Sequence, residues 1–496
     1  MDLACPIMRC RPAEAIPSKT GSPAISDRSG VANRLRPQTV QRVQARPDCV
    51  TDDRPSTGEA FPSRGQAITA LFALRQTPAL RARIKAVQQA FAWFSMGHVM
   101  AIPRTRPSAY PAILSYGFRP FFLLGSLQAA TAMVLWLPLY YGRLETLSTF
   151  LPVDWHIHEL LFGYLPAVVT GFLLTAIPNW TGRLPVQDSR LLALVLLWVA
   201  GRAAVFLSAE TGWLLSALID CSFLLAVVAA AATEIIAGRN WRNLKVLLPV
   251  ATLFAANVMF HVEAHYQGIS DMSRRLGLGA TVVLIMIVGG RIVPSFTRNW
   301  LVRENPGRVP ASFGKFDIGT IALSAVGLAA WTFFPASIAT GALLIGGAAF
   351  NIVRLARWAG DRTAGDPLVL ILHISFAFVP LGLLLAGLAI LVPGIPTAAG
   401  IHAFAVGAVA CMTLAVMTRA SLGHTGRELA ASAGTRMIFV AIVIAAILRV
   451  AAAMAPGAPI LLHVSAALWV TAFVGYVVLF GGMLTRPRRQ ARNSAE

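Results

Sequence analysis

Charge is what this chain has least of. Only 13% of its 496 residues are Asp, Glu, Lys or Arg, against roughly 25% in soluble domains, which excludes an ordinary water-exposed globule. Acidic residues are especially few, 22 against 42 basic ones, for a formal net charge of +20. Cysteine is scarce as well: Cys5, Cys10 and Cys49 lie near the N-terminus, and Cys221 and Cys411 fall in separate apolar runs. That distribution implies no disulfide framework. It leaves helix packing, or a soft metal ligand, as the roles of Cys221 and Cys411. No run alternates with the period of two that a barrel strand needs. No nucleophile triad, proton-abstracting dyad or nucleotide loop is visible.

What the chain has in excess is apolar sequence, 56% hydrophobic with a mean hydropathy of +0.65. Twelve apolar segments lie near 120–141, 155–178, 190–208, 212–237, 244–266, 274–295, 315–334, 336–357, 367–392, 396–418, 435–455 and 458–483. Each is long enough, at about 1.5 Å per residue, to cross a hydrocarbon core about 30 Å thick. Lipid offers no hydrogen-bond partner to the backbone, so such spans must be helices. The expected fold is therefore all-α, a polytopic membrane protein held in the lipid bilayer. Mapped on twelve spans, the basic residues are lopsided: after residue 100 only Arg143, Arg274 and Arg275 lie in loops on the side opposite both termini. The positive-inside bias then puts both termini in the cytoplasm and accounts for the net charge without nucleic acid as partner.

Residues 1–99 hold 14 basic and 7 acidic residues, many Pro and Ser, and no apolar run of signal-peptide quality. They read as a disordered extension, or as the product of a start assigned too early, since Met96 and Met100 directly precede the leader into the first span. The stretch from Gln66 to Phe94, with Arg75, Arg81, Arg83 and Lys85, has the spacing of a helix lying on an anionic membrane surface. Residues 100–486 form the transmembrane domain, and 487–496 a short basic cytoplasmic tail. Within the domain the first, fifth and ninth spans start near 120, 244 and 367, which are 124 and 123 residues apart. The second, sixth and tenth end on Thr181, Thr297 and Thr418, each near an Arg and 116 and 121 residues apart. This suggests three four-helix units around a centre lined by those three helices.

Histidines are unevenly placed. His156 and His158 open the second span, His261 and His265 close the fifth, and His402 and His463 lie early in the tenth and twelfth, all toward the outer face. His373, His424 and His98 are the exceptions. Polar groups in hydrocarbon are costly enough to be functional candidates, and neutral imidazole suits haem iron, copper or zinc. Residues two apart on a helix point about 200° from each other, so His156 and His158 cannot share a face. Either one faces the bundle and the other the surface, or the start is unwound and both converge. His261 and His265, four apart, stack on one face with Asn257 and make a natural clamp for a metal ion. Glu263 points away from that face, toward an arginine such as Arg202, Arg274 or Arg275, or toward an imidazole it would orient. His463 is a further metal candidate or a solvated helix-end residue.

Buried arginines stay charged and must find partners. Arg202 qualifies, as does Arg291, about a turn inside the sixth span behind Gly289 and Gly290; it would meet a propionate or Glu234, or snorkel to the interface.

Six stretches carry a resemblance: RPFFLLG (119–125), WHIHELLFGY (155–164), GFLLTAIPNWTGR (171–183), FHVEA (260–264), GGRIVPSFTRNWL (289–301) and MTRASLGHTGREL (417–429). With these motifs the chain resembles the NnrS family, from about residue 107 to 484. The resemblance implies a bacterial inner-membrane protein that contains haem and copper and acts in nitric oxide metabolism, denitrification and relief of nitrosative stress. It carries no established ligand set. On the reading of the residues, His156 or His158 with His402 would bind haem, His261 and His265 would hold copper, and Arg202, Glu263 or Arg291 would anchor or tune the site. Twelve helices with three-by-four grouping are also similar to the main subunit of haem-copper oxidases, although the sixth and seventh spans here lack histidine. Two other classes remain open. A secondary transporter of a small anion or metal complex would show broken helices, for which Gly163, Pro166 and Gly171 in the second span leave room. A haem-based sensor would bind nitric oxide and signal through the cytoplasmic loops.

Overall fold

The computed structural model describes residues 109–488. The readings for the N-terminal extension, its cysteines, His98 and nearly all of the basic tail fall outside these residues. Among the described residues, twelve helices are long and apolar enough to cross a membrane: α1 Phe118–Tyr140, α2 Pro152–Thr181, α3 Asp188–Phe206, α4 Trp213–Ala237, α5 Trp241–Gln267, α6 Asp271–Glu304, α7 Lys315–Phe333, α8 Ile338–Ala356, α9 Pro367–Leu391, α10 Thr397–His424, α11 Ala433–Met454 and α12 Pro459–Thr485. Among the described residues there is no strand. The protein is an all-α, multi-pass membrane protein. The most buried spans are α2, α10, α6 and α9, at 78%, 72%, 67% and 67% of their apolar windows, which makes them the interior of the bundle. The helices α2, α6 and α10 touch one another there.

Two of these central helices are locally widened. In α2 the α-helical turn Pro152–His158 passes into a π-helical stretch, Glu159–Tyr164, just before Pro166. Proline has no N–H and its ring crowds the carbonyl four residues back, so the ladder must be rearranged ahead of it. The Gly163 carbonyl in this stretch also accepts the Trp198 indole N–H at 2.9 Å. In α10 the π stretch is Ala403–Ala410 and starts immediately after His402. Here α9 presses close: Phe378 fills the space a Cβ on Gly407 would need, and Phe404 does the same at Gly382. π-Helical turns gather at functional sites, and each of these directly follows a histidine, His158 or His402.

Candidate metal centre and adjoining cavity

The first turns of α2 deliver two imidazoles to two different interior places. His158 turns toward α4 and α5. There His158, Asp220 and His261 are all buried, and one ligand atom from each lies within 4.8 Å of the other two. Asp220 Oδ2 is the focus: it accepts from His261 Nε2 at 3.1 Å and from Asn257 Nδ2 at 2.8 Å, and lies 3.3 Å from His158 Nε2. The Asn257 Oδ1 accepts from His158 Nε2 at 3.0 Å. Around the two imidazoles stand Phe150, Phe162 and Phe260, with ring centroids 5.0, 5.4 and 5.3 Å from that of His158. This aromatic collar keeps water out and raises the strength of every charge interaction inside it.

With both imidazoles neutral, the charges of this group do not cancel. Arg202 donates to Glu159 Oε1 at 2.7 Å and to Asp220 Oδ1, and Gln128 donates to Glu159 Oε2. With both carboxylates ionised, one guanidinium leaves a residual negative charge beside two imidazoles. A buried negative charge is costly unless it is paired or coordinated. Two imidazole nitrogens and one carboxylate oxygen are the donor set of a first-row transition metal ion rather than of magnesium or calcium. The residues fit such an ion.

His156 turns the other way, into a cavity of about 360 Å³ that it lines together with His402. Its ring stacks on Trp136 with centroids 4.1 Å apart and planes 17° from parallel, and its Nδ1 is buried without a hydrogen-bond partner. His402 Nδ1 donates to the Ala398 carbonyl at 2.7 Å, which fixes its neutral tautomer and leaves the lone pair on Nε2. Most of the wall is apolar and includes Trp331 and Trp469, but Arg274, Arg275 and Arg449 line it too. Tyr164, another wall residue, shares a 2.5 Å hydrogen bond with Thr413. Two imidazoles, an indole-rich wall and cationic side chains fit a flat apolar cofactor with acidic substituents.

The family model described as NnrS protein matches residues 112–488. The chain belongs to the NnrS family. Comparison with curated proteins gives no match. Membership of the NnrS family supports a role in the nitric oxide response, and the family is associated with metal and haem binding in general.

In this NnrS protein the residues singled out from sequence are regrouped. Neither arrangement expected for His156 and His158 is found: the turn that carries them is helical, and each faces a separate interior site. His261 meets His158 and Asp220 rather than His265, which is exposed and stacks on Trp213 with centroids 4.3 Å apart. Glu263 caps α6 instead of meeting an imidazole. Its carboxylate accepts from the Met272 and Ser273 amides, both at 2.8 Å, and from the Ser273 hydroxyl at 2.5 Å, where the helix N-terminus favours negative charge. His463 is exposed; its Nδ1 donates to the Pro459 carbonyl at 2.8 Å and its ring stacks on Tyr141. Arg202 pairs with Glu159 and Asp220 beside the His158–Asp220–His261 cluster and does not line the cavity. Arg291 donates to Asn243 at 2.6 Å, while Glu234, its expected partner, takes Arg183 at 2.5 Å. Asn257, expected on the face of His261, does join the cluster, and the residues missed were Asp220, Glu159 and Arg449. For Asp220 a signal existed, a lone carboxylate in the apolar run WLLSALIDCSFLL.

Proposed function

We propose that this NnrS protein is a haem- and copper-binding protein of the bacterial inner membrane, with both termini in the cytoplasm, acting in the nitric oxide response and the relief of nitrosative stress. The observation that carries the reading is the divergence of His156 and His158 into two adjacent sites with different chemistry. His156 and His402 are the residues that would hold haem, and His158, His261 and Asp220 those that would hold copper. Bound haem supplies iron, a centre for one-electron chemistry and for binding a small diatomic such as nitric oxide. The chain's own residues do the rest. Trp136 and the Ala398 carbonyl orient the two imidazoles, Asn257 and Arg202 hold Asp220 in place, and the phenylalanine collar excludes water. The transporter reading draws little support, because α6 is continuous and α2 passes its glycines and prolines by widening into a π-helical stretch rather than by unwinding.

The test is to purify the protein from membranes, record optical spectra of the oxidised and reduced forms, and measure copper by elemental analysis. A Soret band with about one copper per chain is the expected result. Absence of the band removes haem from the proposal, and copper at background level removes the metal.

A further inference from the structure

One cation in the cavity wall is left without a counter-charge. Arg274 and Arg275 share Asp271, the first as a close ion pair and the second at 3.9 Å, and Asp154 and Glu263 also act on them. Arg449 differs. It lies inside the span of α11, lines the cavity, and among the described residues makes no hydrogen bond or ion pair. A guanidinium cannot shed its proton to escape this position. An arginine of a membrane span that faces an apolar cavity marks the place of an anionic partner. His156 and His402 are both within its electrostatic reach.

We infer that Arg449 anchors a carboxylate of an amphiphilic occupant of this cavity, a porphyrin whose ring lies among the apolar wall residues. The inference rests on the haem reading of the same cavity and adds the residue that recognises the acid. An apolar body bearing an acidic group also describes an anionic lipid. The two imidazoles and the indoles of Trp136, Trp331 and Trp469 favour a flat aromatic ring over acyl chains.

Metal-free protoporphyrin IX separates acid recognition from iron ligation. Its binding to the full-length protein in nanodiscs is read by fluorescence, beside that of its dimethyl ester, which keeps the ring and loses both charges. The acid should bind at least about 30-fold more tightly than the ester, the size of effect expected for one desolvated charge pair. Arg449→Leu should bring the acid down to the ester's affinity, and Arg449→Lys should restore much of the difference. Equal binding of acid and ester by the unmodified chain overturns the inference, and so does an Arg449→Leu variant that still prefers the acid. The acid and ester comparison needs no variant, so a misfolded substitution does not leave the question open. Displacement of the acid by cardiolipin, dependent on Arg449, would make lipid the occupant and end the porphyrin assignment. Acid-selective binding in a protein that purifies without a Soret band would refute the haem reading and leave the anchor standing. A Soret band indifferent to Arg449→Leu would do the reverse.

Discussion

His156 and His158 are separated by one isoleucine on α2, yet the first stacks on Trp136 in the cavity wall and the second lies 3.3 Å from Asp220 in the buried cluster. One helical turn therefore serves both sites, and the π-helical stretch that begins at Glu159 follows directly. The helix has room for this because residues two apart diverge by about 200°. Two sites that share a turn of backbone are still chemically separable.

That separability gives the first prediction. His156→Ala should abolish the optical signature of haem and leave the metal content of the cluster near that of the parent. His158→Ala should remove the metal and keep the haem spectrum. Absorption spectra and elemental analysis on the same samples check both. Loss of both cofactors in each variant would mean that one site, not two, is present.

Asp220→Asn probes the carboxylate at the focus of the cluster. The variant keeps the shape and loses the charge that Arg202, His158 and His261 share, so metal affinity should fall at least about 10- to 100-fold. Breaking a buried charge pair also costs about 3 kcal/mol of stability, although Arg202 retains Glu159. Metal titration by competition with a chelator, together with thermal unfolding, measures the two effects. Unchanged metal affinity would rule Asp220 out as a ligand.

Glu263 and His265 should behave as structure rather than as ligands. Glu263→Ala exposes the capped amides of Met272 and Ser273 and should cost about 1–2 kcal/mol, with metal content unchanged. His265→Ala, on an exposed ring, should stay within about 0.5 kcal/mol of the parent. If either substitution strips metal from the protein, the cluster extends further along α5 than the contacts indicate.

The spans could be read from sequence because hydropathy reports directly on lipid. The segment expected at 155–178 is Pro152–Thr181, and the one at 120–141 is Phe118–Tyr140. The largest departure is α6, expected at 274–295 and found to run to Glu304. Its last turns carry Arg298, Arg303 and Glu304, which leave the hydrocarbon without leaving the helix, and hydropathy is blind to that. The site was legible in its histidines but not in their grouping. Which face of α5 meets which face of α4 depends on how the helices rotate when packed, so the pairing of His261 with Asp220 across 41 positions has no trace in spacing. His261 and His265 have the right spacing for a clamp, and the rotation of α5 sends only one of them inward.

The approach of α9 to α10 offers a prediction about what holds His402 in the cavity wall. Phe378 occupies the place of a Gly407 side chain, and the contact lies within the π-helical stretch that starts one residue after His402. A methyl group there must displace an aromatic ring in a filled core, which typically costs about 1–3 kcal/mol. Gly407→Ala should therefore lower the unfolding temperature and loosen the backbone that positions His402. Gly457→Ala, where a new Cβ meets nothing within 4 Å, should leave stability within about 0.5 kcal/mol of the parent. Thermal unfolding of both variants in nanodiscs, with porphyrin binding measured alongside, tests the argument. A Gly407→Ala protein as stable as Gly457→Ala, with porphyrin affinity intact, would show that α10 keeps its position without the close contact to α9.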